Sequence, residues 1–241
     1  MTILADLLSA LRSRSVEMID LTAPLVETTP ILQLPEPFGN TIGFRLEEIS
    51  RYDDRGPPGI GWVSGRDEAD VSQVPLVQLI APAAVLDFSA QVAENADFLV
   101  EVDHIKTWEA EHGALPEGGW LICRTGWDAR SSDQDSFLNA DDTGPHTPGF
   151  STECAQWLAS EAPIIGVGVE TVGTDAGAAH SFEPAFPCHR FLLGAGKYGL
   201  TQLQNVAKLP PTGALILTAP LPIVGGSGSP TRALALVEGA P

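Results

Sequence analysis

Three short apolar runs, at residues 83–88, 120–124 and 164–169, constrain this chain more than any other feature. Each is bounded by turn residues and is too short for an average helix, so each reads as a buried strand. Helix signals fall around them. Asp103 can cap a helix running to His112, with Gly113 as its left-handed stop, and Ser151 opens a second helix through Ser160. Strands alternating with helices point to the α/β class. Further strands are expected at 16–21, 44–49, 215–219 and 233–237, and the Pro-rich, hairpin-like connections make the sheet mixed rather than strictly doubly wound. Residues 53–70 are polar, Gly/Pro-rich and without periodicity. There is no internal repeat or low-complexity linker, so one domain over 1–241 is expected.

Charge narrows the partners. Thirty-one acidic residues against 13 basic ones give a formal net charge of −18. Such a surface repels phosphate backbones and anionic membranes, which sets aside nucleic-acid and membrane binding. The three cysteines, Cys123, Cys154 and Cys188, form no C-x-x-C pair and are odd in number, as expected of buried free thiols in a reducing, cytoplasmic setting. Near the start, Leu4, Leu7, Leu8 and Leu11 recur at helical spacing, with Arg12 and Arg14 behind them. A secretory signal has the opposite order, so this reads as a short amphipathic helix.

The candidate chemistry lies late in the chain. No two of the five histidines are spaced as in an H-E-x-x-H zinc site. His104 and His112 sit on a charged helix and read as solvent-facing, and His146 in GPHTPG reads as a loop residue, more often structural than catalytic at such a place. The stretch 173–190, GTDAGAAHSFEPAFPCHR, gathers Asp175, His180, Glu183 and His189 in a Gly/Pro-rich loop directly after a buried strand. Loops at strand ends are where sites are built, although a solvated acidic loop would look the same. Gly194, Gly196 and Gly199 spell G-x-G-x-x-G, yet no strand leads in and too little chain follows for a dinucleotide fold. Ser227 and Ser229 in GGSGSP do not form a nucleophile elbow. Cys188 adjoins His189, but sequence neighbours seldom face each other as a thiolate pair.

Several segments taken together carry a family resemblance. They are VEMIDLTAPLVETTPILQLP, LIAPAAVLDFS, FLVEVDHIKTWEAEHG, WLICRTGWDAR, FLNADDTGPHTPGF, GTDAGAAHSFEPAFPCH and GSGSPTRALAL. In this order they resemble the cyclase family, the group that includes bacterial kynurenine formamidase, and most of all its isatin hydrolase branch. The resemblance implies a swivelling β/β/α domain with a mixed sheet, a homodimer, and a divalent manganese or zinc ion that polarises a carbonyl and activates water. It implies a small amide substrate: the lactam of isatin, opened to isatinate, or N-formylkynurenine, which is deformylated. It assigns Asp175, His180 and His189 to catalysis, and Trp62 and Phe186 to substrate binding.

The chain departs from the family at the metal motif, H-x-G-T-H-x-D-x-P-x-H. Here SRYDDRGPP runs straight into GIGWVSGRD, and no histidine precedes His104. The expected reading is an internal deletion near residues 57–62 that removes two histidines and an aspartate, so no residue of this chain is assigned as a metal ligand. Losing three of about four ligands should abolish tight binding, open part of the core and lower stability. Two functions follow: a metal-dependent amide hydrolase, or a catalytically inactive relative that serves as a binding or regulatory subunit.

Overall fold

The computed structural model describes residues 3–23, 71–224 and 226–239. The strand expected at 44–49, the unpatterned stretch 53–70, the junction near 57–62 and Trp62 lie outside them.

In chain order the described elements are α1 (Ile3–Ser13), β1 (Val16–Asp20), β2 (Ile80–Asp87), α2 (Ser89–Glu94), β3 (Leu99–Val100), α3 (Val102–His112) and β4 (Trp120–Arg124). There follow α4 (Gln134–Leu138), β5 (Ala140–Asp141), β6 (Gly144–Pro145), β7 (Gly149–Phe150), α5 (Thr152–Ser160), β8 (Gly166–Val169), β9 (Tyr198–Leu200), β10 (Ala214–Thr218) and β11 (Ala233–Glu238). Seven strands form one mixed sheet in the order β1-β11-β10-β2-β4-β8-β9. Strands β2, β4, β8 and β9 run parallel, while β1, β11 and β10 join them antiparallel. The mixed α/β architecture expected from the sequence is the one observed.

The register explains an awkward residue. Pro82 lacks the N–H that an interior strand needs. Strand β4 pairs with β2 only from Ala83 onward, so at Pro82 the strand has a neighbour on the β10 side alone.

Side chains from the two faces of the sheet build two cores. On the helix side, Leu86, Leu121, Val167 and Val169 pack with Ile105, Trp108, Trp127, Phe137 and Leu158. On the other side, Val85, Trp120, Ile122, Ile216 and Ala235 pack with Leu21, Leu203 and Val206. Two of these three indoles satisfy their N–H groups, Trp108 Nε1 donating to Val85 O at 3.0 Å and Trp127 Nε1 to Phe137 O at 2.8 Å, while the buried Trp120 Nε1 has no partner among the described residues.

Helix ends follow local chemistry. Ser151 caps α5, its hydroxyl accepting from Cys154 N at 3.1 Å, and Gly113 ends α3 at φ 94°. The cap of α3 is Glu101 rather than Asp103, because His104 Nδ1 accepts from Glu101 N at 2.9 Å and closes a reciprocal box. His104 is also partly buried between Phe88 and Phe98, so it is structural without facing solvent.

Candidate active site

The parallel strands deliver their C-terminal ends to one edge of the sheet, the edge where open α/β sheets build sites. At the end of β2, Asp87 pairs with Arg124 from the end of β4, and accepts from Ser89 N at 2.9 Å and Ser89 Oγ at 2.6 Å. Immediately beyond β4, the turn Thr125–Gly126–Trp127 uses a left-handed glycine, φ 73° at Gly126.

That turn is held by a carboxyl group sequence reasoning missed. Glu170, the residue after β8, is 0% exposed. Its Oε2 accepts from Thr125 N at 2.6 Å, Thr125 Oγ1 at 2.8 Å and Trp127 N at 3.1 Å, while Oε1 has no partner. Burial pushes its pKa up. The sequence offers only a weak signal, an acid directly closing an apolar strand in GVGVE, which a solvated strand end would share.

Past Glu170 the chain enters the Gly/Pro-rich loop. Asp175 is buried at 8% exposure and turns both oxygens toward the π-helical turn Cys188–Leu193. Oδ1 accepts from Cys188 N at 2.7 Å, and Oδ2 accepts from His189 N at 3.2 Å and pairs with His189 Nδ1. A carboxylate on the first amides of a helical turn is favourable on both capping and dipole grounds. It also fixes the imidazole. Nδ1 faces Asp175, and no hydrogen bond engages Nε2 among the described residues. The His189 side chain is 22% exposed, so a solvent-side face remains open. Phe186, at φ 53°, sets its ring edge-on to the imidazole, with centroids 6.5 Å apart and planes at 77°.

The structure therefore brings together Asp175, His189 and Phe186. His180 lies elsewhere on the same loop, exposed, with its ring against Gly144 and Nδ1 3.4 Å from Gly177 O. No hydrogen bond or ion pair links it to the Asp175–His189 pair. The Cys188 thiol is fully buried and its pKa is driven far up by burial, so it forms no thiolate partner for His189. Cys123 and Cys154 are free and buried as well, as expected, with burial raising Cys154 to about 12. The three glycines of G-x-G-x-x-G occupy the turn after Leu193 and the start of β9, with no helix behind them.

His146 is structural, as expected, and more firmly than a loop histidine need be. Its Nδ1 meets Asp97 Oδ2 at 2.7 Å, and its Nε2 meets Thr143 Oγ1 at 2.8 Å and Asp141 Oδ1 at 3.1 Å. These contacts fasten the β5–β6 hairpin beside the open cavity, about 400 Å³, that Asp97, Asp135, Asn139 and Asp141 line.

A divalent ion needs about four donors with free lone pairs. Among the described residues no group of three or more His, Cys, Asp or Glu is placed to hold one. Both oxygens of Asp175 and Nδ1 of His189 are already engaged with each other or with backbone amides. The described residues do not fit the metal that the resemblance implies.

At the C-terminal edge of its parallel strands this mixed seven-stranded sheet carries a buried aspartate that orients a histidine. The chain belongs to the cyclase family: the family's model, described as Cyclase, matches residues 19–176. Isatin hydrolase of Roseibium aggregatum is 43% identical over 255 positions, covering 97% of each chain. Those 255 positions exceed the 241 residues here, so the relative has residues without a counterpart in this chain. Among solved structures, isatin hydrolase A from Ralstonia solanacearum is 43% identical with a TM-score of 0.89, over 99% of this chain and 98% of that one. An isatin hydrolase bound to the product analogue thioisatinate is 41% identical with a TM-score of 0.89, over 99% and 100%. A potential metal-dependent hydrolase with cyclase activity, at 19% identity and TM-score 0.60, shares the fold. The scaffold is that of a cyclase-family hydrolase.

Proposed function

We propose that this chain hydrolyses a small cyclic or aryl amide, with the lactam of isatin as the first substrate to test. The observation that carries the reading is the Asp175–His189 pair: a buried carboxylate holds Nδ1, and among the described residues no hydrogen bond engages Nε2. In that tautomer Nε2 accepts a proton from water as the water oxygen attacks the lactam carbonyl. The C–N bond then breaks, the imidazolium returns its proton to the departing nitrogen, and the ring opens to an amino acid anion once the new carboxyl group ionises. Phe186 offers an aromatic edge against which a planar ring can pack. The 43% identity to isatin hydrolase supports isatin over N-formylkynurenine.

A metal of the kind the resemblance implies would polarise the carbonyl. The described residues supply no ligand set for one, and its contribution of several kcal/mol is worth about a hundredfold or more in rate. Turnover is therefore expected to be slow. Ring opening followed by absorbance should fall about 10²-fold or more in His189→Gln and in Asp175→Asn, and much less in His180→Ala. Equal rates in wild type and both variants would refute the assignment.

The missing histidines upstream of His104 favour a second reading, a relative that binds the amide without opening it. Calorimetric binding of isatin with no product after prolonged incubation would select that reading. Absence of both binding and turnover would remove both.

A further inference from the structure

The loop that carries Asp175 is held from outside by residues 144–149, backbone against backbone. Gly177 N donates to Thr147 O at 3.0 Å, and a Cβ on Gly177 would stand 2.2 Å from Pro145 O. A Cβ on Gly149 would stand 2.2 Å from the nitrogen of Ala176, the residue after Asp175. One on Gly144 would stand 3.3 Å from Cε1 of His180. At Gly149 and Gly177 no side chain fits between the two segments, so a shift of 144–149 carries Ala176 with it. Asp175 is the next residue, and its Oδ2 pairs with His189 Nδ1.

Residues 144–149 are themselves anchored at His146. Its N–H donates to Asn139 O at 3.0 Å, and Asn139 Nδ2 donates to His146 O at 2.7 Å. The ring lies between two carboxylates, with Nδ1 2.7 Å from Asp97 Oδ2 and Nε2 3.1 Å from Asp141 Oδ1. The partners fix its protons. Thr143 Oγ1 gives its single proton to Asp141 Oδ1 at 2.6 Å, so toward Nε2, at 2.8 Å, it accepts. A carboxylate at Asp97 accepts only. Both ring nitrogens therefore carry N–H, and the ring is an imidazolium. Asp97, and then Asp141, raise its pKa accordingly. The other titratable groups on this side are Asp135 of α4, which lines the same cavity, and His180 against Gly144.

We propose, resting on the Asp175–His189 reading of the site, that His146 is a positioning residue: as an imidazolium between Asp97 and Asp141 it fastens residues 144–149, which through Gly149 and Gly177 hold Asp175 against His189. As pH rises through the raised His146 value, one ring N–H is lost, the bond to Asp141 goes with it, and the hold on Ala176 loosens.

The test is an NMR titration of the histidine rings and backbone amides of the full chain, as wild type, His146→Gln and Asp141→Asn, with isatin ring opening followed on the same samples. In the wild type the His189 ring and the Ala176 and Gly177 amides should show an inflection at the His146 midpoint. In Asp141→Asn that midpoint and the inflection should move together, about one pH unit lower, and in His146→Gln the inflection should vanish. The Asp141 side chain is 62% exposed, so its substitution should leave the fold intact. A His189 ring or Ala176 amide blind to the His146 titration would overturn the proposal, as would an inflection that persists in His146→Gln. Coupled rings with ring opening untouched by His189→Gln would uphold the positioning and remove only the hydrolytic reading.

Discussion

Glu170 and Asp175 are two buried acids with opposite tasks. Asp175 spends both oxygens on the Cys188 and His189 amides and the imidazole, whereas Glu170 serves three donors with one oxygen and leaves the other bare. Removing the acceptor in Glu170→Ala strands the Thr125 and Trp127 amides in the core and should cost about 3 kcal/mol or more in urea unfolding. A loss below 1 kcal/mol would mean that the turn is held by something else. The pH dependence has a definite sign. Burial raises the Glu170 pKa, so the folded chain holds that proton more tightly than the unfolded chain. Its stabilising effect is complete below the ordinary glutamate range and is lost as pH rises through the raised value. Over that rise the wild type should lose stability relative to Glu170→Gln, which has no proton to lose. Parallel stability curves for the two would contradict the assignment. Both acids sit just past or within readable motifs, but only Asp175 was legible as a site residue, because Glu170 looks in sequence like the end of a strand.

Among the elements, the β5–β6 hairpin is fastened in part by the His146 side chain. Asp97, and then Asp141, raise the His146 pKa, while the hydroxyl and amide of Thr143 hold Asp141 down to about 2. The histidine's part is therefore complete below its ordinary value and lost as pH climbs through the raised one. The aspartate's part is present above the ordinary carboxylate range and lost as pH falls toward about 2. Protection from hydrogen exchange at residues 140–146, taken relative to the intrinsic rate at each pH, should be greatest between those limits and should fall there in His146→Gln. A flat profile that the substitution leaves unchanged would show that the hairpin is held by its packing against Gly177–Ser181 alone. Helix ends were largely legible, since Ser151 and Gly113 act through their own chemistry. The cap of α3 was not, because Glu101 becomes the cap only through its reciprocal bond with His104, a pairing that spacing alone does not reveal. Strand β2 begins three residues before the expected start because Ile80 pairs with Leu217 far along the chain.

At the scale of the whole molecule, the class and the mixed sheet could be read from three apolar runs and their flanking turns. The order β1-β11-β10-β2 could not, because it joins residue 16 to residue 238, and no local pattern carries that pairing. The burial of single strand residues is likewise invisible in sequence, where Leu215 and Ile216 look alike and only the register sends one outward and the other into the core. The buried half of the site lies on this framework, with Asp175 and His189 fixed to the end of the parallel strands. In the proposed function this pair, rather than a bound metal, supplies whatever turnover the chain has. The measurement that tests it is the isatin ring-opening rate of the full chain after exhaustive chelation, beside that of His189→Gln treated in the same way. The chelated wild type should keep its rate and exceed the variant by about 10²-fold or more. A wild-type rate that collapses to the variant's level on chelation, and returns with manganese, would contradict it.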